Sequence, residues 1–327
     1  MNEHAGIHGS TPRSPSRQLA TALGSVGVWS MDLHGLTSKR AAEVLAAVED
    51  LGVQAVWTGE GANTKEALTH AAVLLASTRN LMIATGIANM WARDAVATAA
   101  GARVLAEAYP GRFLLGLGAS HAPNVAARGR DEAVYRRPLT VMRDYLDTMD
   151  AARLTSPAPA APPPRVLAAL RPRMLRLAAE RTLGAHPYFA TVEHTARARE
   201  LLGPDPVLAP EHAVVLESDR AAARAVAADY VSHRLDRENY RNHLLHLGFT
   251  EADLDHGGSD RLFDAVVAWG DVDAIHARVR AHLDAGADHV AIDVLPRHGE
   301  DFPLDDIRRV APVLLAERSE LARAGRG

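Results

Sequence analysis

Tyr109-Pro110-Gly111-Arg112-Phe113-Leu114-Leu115-Gly116-Leu117-Gly118-Ala119-Ser120-His121 holds one complete joint of the fold. Pro110-Gly111 stops a helix, since proline has no amide to donate and glycine accepts the turn that follows. Phe113–Leu117 is a short apolar run bounded by turn residues, which reads as a buried strand. Beyond it the chain turns polar at Ser120 and His121.

Working outward, the same alternation recurs along the chain. Val26–Met31 reads as the first strand, and Ser38 caps a helix through Leu51 with Ala41, Val44, Leu45 and Val48 on one face. Gly52 closes that helix before the strand Gln54–Thr58, and Asn63 can cap the next helix, to Ala76. Leu81–Ile87 is the third strand, followed by a helix capped by Asp94, and Phe113–Leu117 the fourth. After a helix at Pro138–Ala152 and a stiff proline-rich connector at Pro157–Pro164 come the strands Arg165–Leu170, Leu183–His186 and Pro206–Leu216. Helices fall between them, from Pro172 and from Thr191 or Thr195 to Leu202. Asp219–Val266 is helical and polar. The helix Asp271–Ala285, the strand His289–Val294 and the helix Leu304–Ala322 complete the pattern. Parallel neighbours each need a crossover helix, so eight such units predict an α/β fold, a (β/α)8 TIM barrel over 23–327. The helical insertion follows strand 7 at about 219–265. A doubly wound open sheet is the main competitor, but it usually has fewer strands. Residues 1–22 are expected to be a disordered lead-in, without the apolar stretch of a signal peptide.

Composition narrows the class. Of 327 residues 47% are hydrophobic and only 5% aromatic, so a large aliphatic core is expected. A net charge of −4 with interspersed signs argues against nucleic acid or an anionic membrane as partner. The absence of cysteine excludes disulfides, thiolate metal sites and cysteine nucleophiles, and fits a cytoplasmic protein.

In a barrel the chemistry sits at the strands' C-terminal ends. Those ends collect Trp29, Ser30, Asp32, Glu60, Asn89, Trp91, Arg93, Asp94, Ser120, His121, Arg171, His186, Asp293, Arg297 and His298. Asp94 itself reads as an ordinary helix cap. Gly116-Leu117-Gly118 is not a dinucleotide fingerprint, because it follows the fourth strand and no helix starts directly after it. A serine nucleophile elbow is absent, since Gly118-Ala119-Ser120-His121-Ala122 lacks the second glycine. The first strand has no His-x-His pair, and His243 and His246 sit on a leucine-rich face better suited to packing, so no metal is expected.

Two segments carry a resemblance: Ile83-Ala84-Thr85-Gly86-Ile87-Ala88-Asn89-Met90-Trp91-Ala92-Arg93-Asp94 and the stretch from Tyr109 to His121. Together with Val56-Trp57-Thr58-Gly59-Glu60, Val166-Leu167-Ala168-Ala169-Leu170 and Gly184-Ala185-His186-Pro187-Tyr188, they resemble the luciferase-like oxidoreductases, most closely the branch that uses coenzyme F420. The resemblance implies a barrel with a tricyclic cofactor across the strand ends, backed by a third-strand bulge with a non-prolyl cis peptide that maps to Gly86-Ile87. It implies cofactor contacts from Gly86, Ile87, Asn89, Gly118, Ser120, Leu170, Arg171 and His186, with Arg171 and the following helix N-terminus on the phosphate. His121 is then expected to exchange a proton with the substrate, and Glu60 to orient substrate or hold a proton. Arginine at 171, where relatives often carry small residues, suggests charge pairing in place of backbone cradling. The implied activity is hydride transfer between F420 and a small organic molecule by a homodimer. The alternatives are an FMN-dependent monooxygenase, a metal-dependent barrel hydrolase and a cofactor-binding barrel without turnover.

Overall fold

A computed structural model describes residues 13–130 and 135–324. Its strands are β1 (Val26–Trp29), β2 (Ala55–Thr58), β3 (Met82–Thr85), β4 (Ala88–Asn89), β5 (Phe113–Gly118), β6 (Arg165–Leu167), β7 (Gly184–Ala185), β8 (Val207–Leu208), β9 (Glu211–Val215), β10 (Val267–Trp269) and β11 (Val290–Val294). All pair in parallel, in the order β10-β9-β11-β1-β2-β3-β5-β6-β7-β8, with β4 beside β5. The continuous segment carrying β8 and β9 closes the ring. On one side the Ala209 amide donates to the Ala185 carbonyl; on the other the Ala291 amide donates to the Pro210 carbonyl. The eight strands expected from the sequence therefore form the barrel, the seventh interrupted at Ala209-Pro210.

Side-chain parity sorts the two faces of the wall, because successive residues of a strand point to opposite sides. Val28, Val56, Ile83, Phe113, Leu115, Leu167, Val290 and Ile292 face the surrounding helices in the main core. Trp29, Ala55, Trp57, Met82, Ala84, Leu114, Val166, Val207, Ala209 and Ala291 fill the interior. A helix at Pro15–Leu23 adds Leu19 and Leu23 to that interior cluster. It is capped by Ser14 and tied down by an Arg17–Asp288 ion pair at 2.7 Å. This corrects the expected lead-in: residues 1–12 lie outside the described residues, while 15–23 are helical because two leucines one turn apart cover the barrel's N-terminal end.

The insertion consists of the helices Arg220–Leu235, Glu238–His246, Glu251–Leu254 and Asp260–Val266. They bury their own core of Tyr230, Val231, Tyr240, Leu244, Phe249 and Phe263 against Phe189, Ala213 and Val215. The chain then adds β10, beside β9, which no sequence signal had marked. Asp94 does cap its helix, accepting from the Ala97 amide at 2.8 Å, while the helix expected from Asn63 begins at Ala67 with Glu66 as cap.

Candidate active site

Continuing the interior parity to the strand ends brings Met31, Gly59, Gly86, Gly118, His186, Tyr188, Glu211 and Asp293 to one mouth. The β2–β5 side is built of glycine. The Gly86–Ile87 peptide is cis. A side chain at Gly86 would meet the Trp29 indole at 2.6 Å and the His186 ring at 3.0 Å, and one at Gly118 would meet Ile87 at 2.5 Å. Glycine at these points lets Trp29 and Ile87 pack inward, and the Trp29 indole N–H donates to the Gly86 carbonyl at 3.0 Å.

Glu60 is buried and occupied by protein partners. It accepts from the Asn89 amide at 2.8 Å and the Ala67 amide at 3.3 Å, and pairs with Arg93. Arg93 also reaches Glu66 at 2.5 Å. Glu60 therefore ties β4 to a helix N-terminus and to the partly buried Arg93. Replacing Glu60 with Gln is expected to cost about 2–3 kcal/mol, since it leaves Arg93 short of a counter-charge. A urea midpoint equal to that of the wild type would refute this.

Asn89 is fully buried; its side-chain oxygen accepts from the Trp91 amide at 3.0 Å and its Nδ2 has no partner. Ser120 takes a positive φ of 55°, and its hydroxyl accepts from Asn124 at 3.0 Å. Leu170 presents its carbonyl to the His194 ring at 2.9 Å. Arg171 precedes the helix Pro172–Arg181, and its Nε is buried without a partner. His186 stacks on Trp57 with ring centroids 4.4 Å apart, and its Nδ1 donates to the Ala209 carbonyl at 2.7 Å. Its Nε2 is unpartnered.

His121 lies at the end of β5 under the insertion, 4.9 Å from the Tyr240 ring, with Nδ1 buried and unpartnered. Burial, aided by Arg237 and Arg234, lowers its pKa to about 4. The imidazole is therefore neutral at pH 7. It presents one ring N–H and one lone pair.

The β7–β11 side is polar; His186 and Asp293 were among the strand-end residues, whereas Glu211, Tyr230 and Arg234 were not singled out from the sequence. Glu211 accepts from the Phe189 amide and from the Tyr230 hydroxyl, both at 2.8 Å. Arg234 donates to the Tyr188 hydroxyl and to the Tyr230 carbonyl, the latter at 2.9 Å, and stands 3.8 Å from the Tyr230 ring centre. The available signal was parity: Glu211 sits two residues beyond inward-facing Ala209, and Asp293 two beyond Ala291.

A family profile of luciferase-like monooxygenases matches residues 22–289. The chain belongs to that family. Its members are oxidoreductases and monooxygenases, which rules out the hydrolase alternative. Among solved structures, an F420-dependent secondary alcohol dehydrogenase in complex with an F420-acetone adduct superposes with a TM-score of 0.70 at 16% identity, covering 89% of this chain and 99% of the other. The coenzyme F420-dependent tetrahydromethanopterin reductase of Methanopyrus kandleri gives 0.67 at 16% identity, over 90% and 99%. The oxygenating constituent of 3,6-diketocamphane monooxygenase from Pseudomonas putida, in complex with FMN, gives 0.64 at 16%, over 89% and 98%. At these identities the likeness is one of fold. No helix among the described residues is long and apolar enough to cross a membrane.

Proposed function

We propose that this luciferase-like protein transfers a hydride between a bound deazaflavin, coenzyme F420, and a small organic substrate. The observation that supports it is a set of buried polar atoms without partners at one mouth: Asn89 Nδ2, His121 Nδ1, Arg171 Nε and His186 Nε2. A buried polar atom left unsatisfied costs about 1–3 kcal/mol, so such a group of them suits a polar ligand. Their chemistry fits a deazaflavin or flavin, which carries ring acceptors and a phosphate. Arg171 and the N-terminus of Pro172–Arg181 would hold the phosphate, through charge and exposed amides. Asn89, Ser120 and Gly118 would line the ring edge or polyol, Gly86–Ile87 would back the ring, and Leu170 and His186 would close its sides. The bound ring would supply two-electron redox chemistry.

The chain's own part is to bind, orient and desolvate. His121, neutral above about pH 4, would hydrogen-bond the substrate's oxygen. Glu60 acts through Arg93 and the Asn89 amide, holding β4 in place. The reading includes a cytoplasmic homodimer. Absorbance and fluorescence titrations with F420 and with FMN test it. Micromolar binding of F420 is expected; micromolar FMN binding without F420 binding would replace it with the monooxygenase alternative, which uses FMN and oxygen.

A further inference from the structure

His121 is neutral at physiological pH and Glu60 is engaged with Arg93, so neither supplies the proton that must accompany a hydride when a carbonyl is reduced. The opposite side of the mouth holds a carboxyl group that can. Asp293 lies at the C-terminal end of β11, on the inward parity set by Ala291, and is 5% exposed. Among the described residues its carboxyl makes no hydrogen bond and no ion pair. In the β9–β11 register Asp293 stands beside Ala213 and Ala291 beside Glu211, so the two acids occupy successive inward positions on adjoining strands. Glu211 is itself fully buried and fixed by the Phe189 amide and the Tyr230 hydroxyl.

We propose that Asp293 is the proton-exchanging residue of the mouth, with Glu211 and Arg234 as positioning residues, for a substrate whose reacting group is an uncharged carbonyl or alcohol. The proposal rests on the reading of this mouth as a deazaflavin or flavin site. In the reducing direction the substrate's carbonyl carbon takes a hydride, with its electron pair, from the reduced deazaflavin or flavin. The C=O π pair moves to oxygen, which takes the proton from the Asp293 carboxyl. A carboxylate remains and is reprotonated from solvent. Alcohol oxidation runs the same balance backwards.

The surroundings favour a carboxyl that carries a proton. Burial first, then the charge of Glu211 and of Asp32 after β1, push Asp293 well above the usual carboxylate range, against the pull of Arg234. Tyr188 after β7 and Tyr230 on the insertion also face it, and burial keeps both phenols protonated. Burial pushes Glu211 up as well, so the two acids do not both ionise at neutral pH. A neutral acid here donates to a carbonyl without leaving an unpaired cation behind, whereas an anionic substrate group at this point would meet the pair when either member is ionised.

Infrared spectroscopy of the full chain at pH 7 tests the protonation directly. A protonated-carboxyl C=O absorption is expected that loses a component in Asp293→Asn and is unchanged in Asp32→Asn. The absence of such a band, or an unchanged band in Asp293→Asn, overturns the proposal. The thermal midpoint at pH 8 should rise by several degrees in Asp293→Asn, because the variant loses the drive to ionise on unfolding; a fall overturns the proposal. With cofactor bound and a small ketone as probe, the same variant should bind cofactor as the wild type does and transfer hydride at least 100-fold more slowly. Hydride transfer at the wild-type rate overturns Asp293 alone. Failure to bind either F420 or FMN, with the band present, overturns the cofactor reading instead.

Discussion

Lowering the pH from 7 to 5 is expected to remove at least about 5 kcal/mol of folding stability and to lower the melting temperature by about 10 °C or more. The largest part of the cause is a set of histidines buried as neutral rings, of which His186, His194, His212, His282 and His289 alone set that lower bound. Burial lowers the pKa of His186, His194 and His289 from 6.5 to about 4 and that of His212 to about 3, with His282 well below its ordinary value. His289 shows why a second ring proton is refused: its Nδ1 donates to the Gly24 carbonyl at 2.8 Å while its Nε2 accepts from the Trp57 indole at 3.0 Å. A proton on Nε2 would set two donors against each other in the barrel interior.

The sign follows from linkage. A histidine whose folded pKa is depressed takes up its proton in the unfolded chain first. Its contribution to stability is therefore whole above the unfolded value of 6.5 and is lost as pH falls toward the folded value near 4. Each of the five loses about 2 kcal/mol between pH 7 and 5, about 10 together. Glu211 and Asp293 work the other way, because their folded pKa values are raised and the native state takes up protons as pH falls. They return about half of that loss. Thermal melts at pH 7, 6 and 5 check this. A melting temperature flat across that range would mean that the rings are hydrated or already charged in the folded chain.

How much of this was legible in the sequence depended on range. All eight barrel strands could be read, because short apolar runs bounded by Gly, Pro and Asp are local signals. The helix Pro15–Leu23 escaped because only Leu19 and Leu23 mark its apolar face, and the partners that order it, Asp205 and Asp288, lie far along the chain. β10 is three residues long and follows a helix without a break, so no local signal separates the two. At the site, the bend at Gly86–Ile87 was legible through family likeness, while the inward glycines follow from parity once the strands are placed. The state of His121 was not, since its burial and its cationic neighbours come from the insertion. The partners of Glu60 were hidden for the same reason: a carboxylate at a strand end looks available until Arg93, Asn89 and Ala67 are brought to it.

Gly116→Ala is expected to cost about 4 kcal/mol and to weaken cofactor binding with it. A methyl group there would lie 1.9 Å from the Thr85 carbonyl oxygen, a backbone atom that no rotamer change can move. The same two residues are clamped by a buried pair of hydrogen bonds: the Thr85 hydroxyl donates to the Gly116 carbonyl at 2.8 Å and accepts from the Gly116 amide at 2.9 Å. Relieving the clash means parting β3 from β5, which breaks both bonds immediately before the Gly86–Ile87 bend. Ile87, which packs over Gly116 and Gly118, would move with it. Gly111→Ala supplies the contrast. Gly111 has a φ of +74° but nothing within 4 Å of the added methyl, so only backbone strain of about 1 kcal/mol is expected. Urea denaturation of the two variants separates clash from strain. Equal midpoints would show that the β3–β5 approach is slack, and would remove the reason for a glycine beneath the bend.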